Sequence, residues 1–82
     1  MTVMMHRYEQ TRRVQRVRVT YARGRRIKEG QESKVYRVRL GYYPSGSKYE
    51  YLVWSKELGK CVWVREDDVL VLAVSLTPIH TF

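Results

Sequence analysis

Residues 61–72, CVWVREDDVLVL, form the densest apolar and aromatic stretch of the chain, and a short acidic knot, Glu66-Asp67-Asp68, divides it. Each apolar side is too short for a helix and is rich in Val, Leu and Trp. That composition favours two buried strands. The knot between them has room for one tight turn. A strand ending in Trp63-Val64, a one-turn corner and an apolar closing strand therefore define the end of a small β-fold, and the rest of the chain is read outward from it.

Upstream, residues 14–22 (VQRVRVTYA) alternate Val17, Val19 and Tyr21 with Arg16, Arg18 and Thr20. This is the period-two pattern of a strand with one buried face, and Val14 breaks its phase, which places a bulge or the strand start near Gln15. Residues 23–33 are a charged loop with Gly24 and Gly30. Residues 34–43 (KVYRVRLGYY) are a second strand. Tyr36, Val38, Leu40 and Tyr42 lie on one side, and Val35, Arg37, Arg39 and Tyr43 on the other. Pro44-Ser45-Gly46-Ser47 ends it with turn residues. Residues 49–55 are a third strand, and residues 56–60 (KELGK) a hairpin turn with Gly59 at the left-handed position. Residues 61–64 and 69–76 supply the fourth and fifth strands. The fifth is apolar on both faces, so it is expected to be central in its sheet or covered on both sides. Residues 1–13 show no clear period and are read as a basic arm, with a short helix over residues 3–9 as the alternative.

Five short strands with closely spaced turns imply an all-β fold. The strand–corner–strand at residues 61–72 resembles the end of the SH3-like small β-barrels. That resemblance implies a five-stranded barrel over residues 14–82, with a single 3₁₀ turn at the acidic knot. An OB-fold is the runner-up, disfavoured because no helix precedes the fourth strand.

Eighty-two residues make one domain with a core near the lower limit of independent stability. No apolar run approaches the roughly 18 residues of a membrane helix, and the start lacks a secretory h-region, so the expected location is intracellular. The lone Cys61 builds no disulfide framework, and its neighbours suggest a buried, inert thiol. His6 and His80 lie in the tails without a nucleophile nearby. Glu66, Asp67 and Asp68 have no His or Cys beside them. No enzyme, metal or cofactor is expected, and the acidic residues are read as an N-cap or closure of the corner turn.

Charge is the functional signal. The net charge is +8, and twelve of the sixteen basic residues but only three of the eight acids lie within residues 1–39. Arginine outnumbers lysine eleven to five, and its planar fork suits phosphate. Such asymmetry points to a polyanionic partner. If the first two strands pair along their length, Arg16, Arg18, Arg37 and Arg39 share one solvent patch, since adjacent strands lie about 4.8 Å apart. Arg23, Arg25 and Arg26 extend it from the loop. The competing reading is a solvated face balanced by Glu9, Glu29 and Glu50.

Aromatics gather around the middle hairpins. Trp54 and Trp63 are expected opposite each other in a tight hairpin, with Tyr51, Val53, Val62 and Val64 facing inward. Trp63 is read as core and Trp54 as partly exposed. Tyr43 and Trp54 would stack on bases or wedge into a duplex. The expected function is binding of nucleic acid, double-stranded DNA before RNA, with weak sequence preference. In size, charge and expected fold the chain is similar to the small chromatin proteins of thermophilic archaea. The alternative is an interaction module that takes a protein partner, or a second copy, through the Tyr/Trp surface.

Overall fold

The computed structural model describes residues 12–76. Five antiparallel strands make one sheet: β1 (Arg12–Val19), β2 (Glu32–Tyr43), β3 (Gly46–Ser55), β4 (Lys60–Arg65) and β5 (Val69–Leu76). A 3₁₀ turn over Glu66–Asp68 joins β4 to β5. The strand order is β4-β3-β2-β1-β5. The all-β, five-stranded expectation holds, and the fifth strand and the acidic corner fall where the sequence puts them. The sheet is not closed into a ring, and β4 and β5 are its two edges.

β2 organises the molecule because it serves two half-sheets. Its first residues, Glu32 to Lys34, pair with β1, and the remainder pairs with β3. Twelve residues at about 3.3 Å each span roughly 40 Å, which accounts for a long axis of 43 Å in a molecule only 27 × 18 Å across. The core lies where the half-sheets face each other. It consists of Val17, Val19, Tyr51, Val53, Val62 and Val64, with Ile27 inserted from the β1–β2 loop and Val69 and Val71 packed against it. The inward assignment of Tyr51, Val53, Val62 and Val64 is correct.

Several expectations change. β1 starts at Arg12 and ends at Val19, because the next two amides, Thr20 N–H and Tyr21 N–H, donate to the Asp68 carbonyl and draw the chain to the corner. Arg12 and Arg13 therefore belong to β1, while residues 1–11, including the alternative helix over 3–9, lie outside the described residues. β5 is an edge strand and not a central one, since β1 is already paired with β2 on its other side. Its Leu70, Leu72 and Val74 are exposed. In β2 a register shift between Val35 and Arg37 inserts Tyr36 as an extra residue. The bulge returns Val35 to the inward face opposite Val53, so Val35 does not share a side with Arg37. In the β3–β4 hairpin, Trp54 lies opposite Cys61 and Trp63 opposite Leu52. The two tryptophans are diagonal and not directly paired. The turn tightens around Gly59, whose φ is +65° and whose N–H donates to the Ser55 carbonyl.

Candidate functional site

The half-sheets part company above Lys34. β1 continues upward paired only with β5, and β2 continues upward paired only with β3. Between the two ribbons lies a cleft of about 1090 Å³. Arg13, Arg16, Lys34 and Arg37 line it, together with Tyr36 and Tyr49. Glu66 is the single carboxylate on its wall, and Oε1 of that group already accepts the Tyr49 N–H at 2.7 Å. The bulge at Tyr36 opens this site, because the added residue turns β2 away from β1.

The four strand arginines do not form one patch. Register places Arg16 opposite Lys34 and Arg18 opposite Glu32, so β1 runs out of β2 partners before Arg37 is reached. Arg37 and Arg39 instead lie against β3, opposite Leu52 and Glu50. Arg18 is neutralised by Glu32, to which its Nε and Nη2 donate at 3.1 and 2.9 Å. Arg16 is 3.9 Å from the same carboxylate. Glu32 balances Arg18, and Glu50 balances Arg39 as the competing reading expected. Glu29 makes no ion pair among the described residues, and Glu9 lies outside them.

Arg39 is held by both an aromatic ring and a carboxylate. Its guanidinium lies 3.9 Å from the centroid of the Trp63 ring and donates to Glu50 at 2.5 Å. The Tyr43 hydroxyl donates to the other Glu50 oxygen, and Arg65 lies 4.3 Å over the Tyr43 ring. Tyr43 is therefore half-buried in a cation–carboxylate–aromatic ladder on the outer face of β2–β3–β4. Trp63 is the floor of this ladder and not part of the core. Gly41 makes room for it: a Cβ there would come within 2.8 Å of the Glu50 carboxylate. Gly41→Ala should push Glu50 off Arg39 and Tyr43, at a cost of about 1 kcal/mol. In a Trp54→Phe background the Trp63 emission should shift as Arg39 leaves the ring. An unchanged spectrum and unchanged melting would show that the ladder does not persist in solution.

Arg23 is also committed. Its Nε and Nη2 donate to the two Asp68 carboxylate oxygens at 2.9 and 3.0 Å, and its guanidinium lies 5.2 Å over Tyr21. The hydrogen bond with Asp68 raises the Arg23 pKa, and burial only partly opposes it. Asp68 is buried and makes no side-chain cap of the 3₁₀ turn, so the N-cap reading is replaced by this clamp. Arg25 and Arg26 make no ion pair among the described residues. Their loop is nonetheless fixed. Ile27 is in the core, Ser55 Oγ donates to the Arg26 carbonyl, and Gln31 Nε2 donates to the Trp54 carbonyl at 2.7 Å. Trp54 is 42% exposed, as expected. Cys61 is half-buried and unpaired, not fully buried.

Arg13, Lys34, Tyr36 and Tyr49 are cleft residues that sequence reasoning passed over. The alternation shows Lys34 and Tyr36 in a strand, but only the bulge and register bring them to β1. Among the described residues no three metal-ligating side chains come together, and no helix is long and apolar enough to cross a membrane. Compared with known proteins, the chain matches no family model, no curated protein and no solved structure.

Proposed function

We propose that the protein binds nucleic acid through phosphate contacts, with weak sequence preference. One observation carries this reading: Arg13, Arg16, Lys34 and Arg37 line a single cleft whose only carboxylate, Glu66, is already engaged by a backbone amide. Arg16 has a long ion pair with Glu32 at 3.9 Å, while Arg13, Lys34 and Arg37 make none among the described residues. Gathering such cations is unfavourable unless a polyanion neutralises them. Arg25 and Arg26, held in a fixed loop and free of acidic partners among the described residues, extend the contact. DNA is the first substrate of this proposal, in an intracellular protein that is not an enzyme. The resemblance to SH3-like small barrels belongs to the same proposal, supported by the strand order and the 3₁₀ corner.

A salt series with duplex DNA, single-stranded DNA and RNA tests it. Four phosphate contacts give a slope of log K against log salt of about −3 to −4 on duplex DNA. Absence of binding to all three near physiological salt defeats it. The exposed Val38, Leu40 and Tyr42 on the β2–β3 hairpin favour a second reading, an interaction module for a protein partner or a second copy. That reading expects association without any nucleic acid.

A further inference from the structure

We infer that the cleft takes unpaired nucleotides: a single strand enters between the β1–β5 and β2–β3 ribbons, its bases on Tyr36 and Tyr49 and its phosphates on Arg13, Arg16, Lys34 and Arg37. This rests on the nucleic-acid reading above and specifies its substrate.

The arrangement of the side chains selects the strand state. The tyrosines are exposed and large, and they line the same concavity as the cations. Lys34 Nζ lies 5.5 Å over the Tyr36 ring, so a phosphate-binding group and a stacking surface adjoin on one strand. A duplex turns its phosphates outward and keeps its base faces stacked inside, out of reach of an aromatic set back in a cleft. A single strand offers both at once, and every base has a π-face to stack. The cleft volume, about 1090 Å³, lies just above the range of roughly 300–1,000 Å³ for sites that enclose one small molecule. The cleft is also open at the mouth between the two ribbons, as a polymer passing through requires.

Other occupants fit less well. A second copy would bring one basic rim against another. An acidic peptide would meet the charge, but three of the four cations are arginines, whose fork matches phosphate and whose plane stacks on bases. The remaining apolar surfaces carry less. The outer face of β5 has no charge to identify a partner, and the Trp63–Arg39–Glu50 ladder is internally satisfied.

The test uses fluorescence anisotropy with the full chain and four labelled probes of equal length: oligo-dT, oligo-U, a mixed-sequence duplex, and an abasic strand with the same phosphates but no bases. At about 0.15 M salt the single strands should bind at least tenfold more tightly than the duplex, and the abasic strand, which loses both stacks, should lose about a hundredfold. Tyr36→Ala and Tyr49→Ala should each weaken oligo-dT about tenfold, the lower part of the range for loss of one stacked base, while leaving the salt slope unchanged. Tyr36→Phe should retain binding. Both tyrosines are exposed, so thermal melts of the Ala variants should match the parent, and the abasic comparison needs no variant at all. Equal or tighter binding of duplex, or of the abasic strand, overturns this inference and leaves the phosphate-binding reading standing. Binding of none of the four probes overturns both, and binding of poly-glutamate in their place assigns the cleft to an acidic protein partner.

Discussion

Val53→Ala should cost about 2–3 kcal/mol and lower the melting temperature by roughly 10–20 °C. Val53 has no exposed surface, and the largest fully buried side chains beside it are Val17, Val19 and Ser55. Two methylenes removed from water account for about 1.6 kcal/mol, and the cavity left behind adds to it. The consequence is large because the core is small. A chain of this length is stabilised by only about 4–12 kcal/mol, and its core here holds one aromatic, Tyr51, among aliphatics of modest size. Val64→Ala, also buried, should behave similarly. Leu72→Ala is the control. A reading of β5 as covered would make it equally costly, but Leu72 is 38% exposed on an edge strand, so it should cost less than about 1 kcal/mol. Urea titrations of the three variants decide the matter. If Leu72→Ala destabilises as much as Val53→Ala, and does so more strongly at higher protein concentration, the outer face of β5 is buried by another copy in solution.

The same contrast shows what the sequence could reveal. Alternation marked Val17 and Val19 as inward, and the acidic interruption of residues 61–72 marked the corner, because both are local patterns with a single steric solution. The β5 error arose because an apolar strand reads alike whether it is central or an uncovered edge. The site was less legible for three physical reasons. The Tyr36 bulge is a product of how β2 divides itself between β1 and β3, and one inserted residue reverses every face that follows. The register of β1 on β2 is set across a loop of twelve residues, so counting along either strand could not show that Arg37 overshoots β1. The carboxylates that occupy the arginines are remote: Glu32 lies 14 residues from Arg18, and Asp68 lies 45 from Arg23. An excess of positive charge is visible in composition, but which arginines remain available is a tertiary property.

That distinction leads to the largest expected effect on binding. Lys34→Ala with Arg37→Ala should weaken nucleic acid about ten- to thirtyfold at 0.15 M salt and flatten the salt slope by about 1.4–1.8 units, since each phosphate contact contributes about 0.7 on single strands and 0.9 on duplex. The loss should be the same for every base sequence, because phosphate contacts carry no sequence code. Arg18→Ala with Arg39→Ala removes the same formal charge, yet should change affinity only severalfold. Arg18 is held by Glu32, and Arg39 lies between Glu50 and the Trp63 ring, so neither releases a full counterion on binding. Glu32→Gln provides the reciprocal experiment. It frees Arg18 outside the cleft and Arg16 on its wall without touching the core, and an exposed pair of this kind contributes little to stability. Binding should then tighten and the salt slope steepen by about one unit. If both double variants lose affinity alike, and Glu32→Gln leaves the slope unchanged, net charge alone governs binding and the cleft has no privileged role.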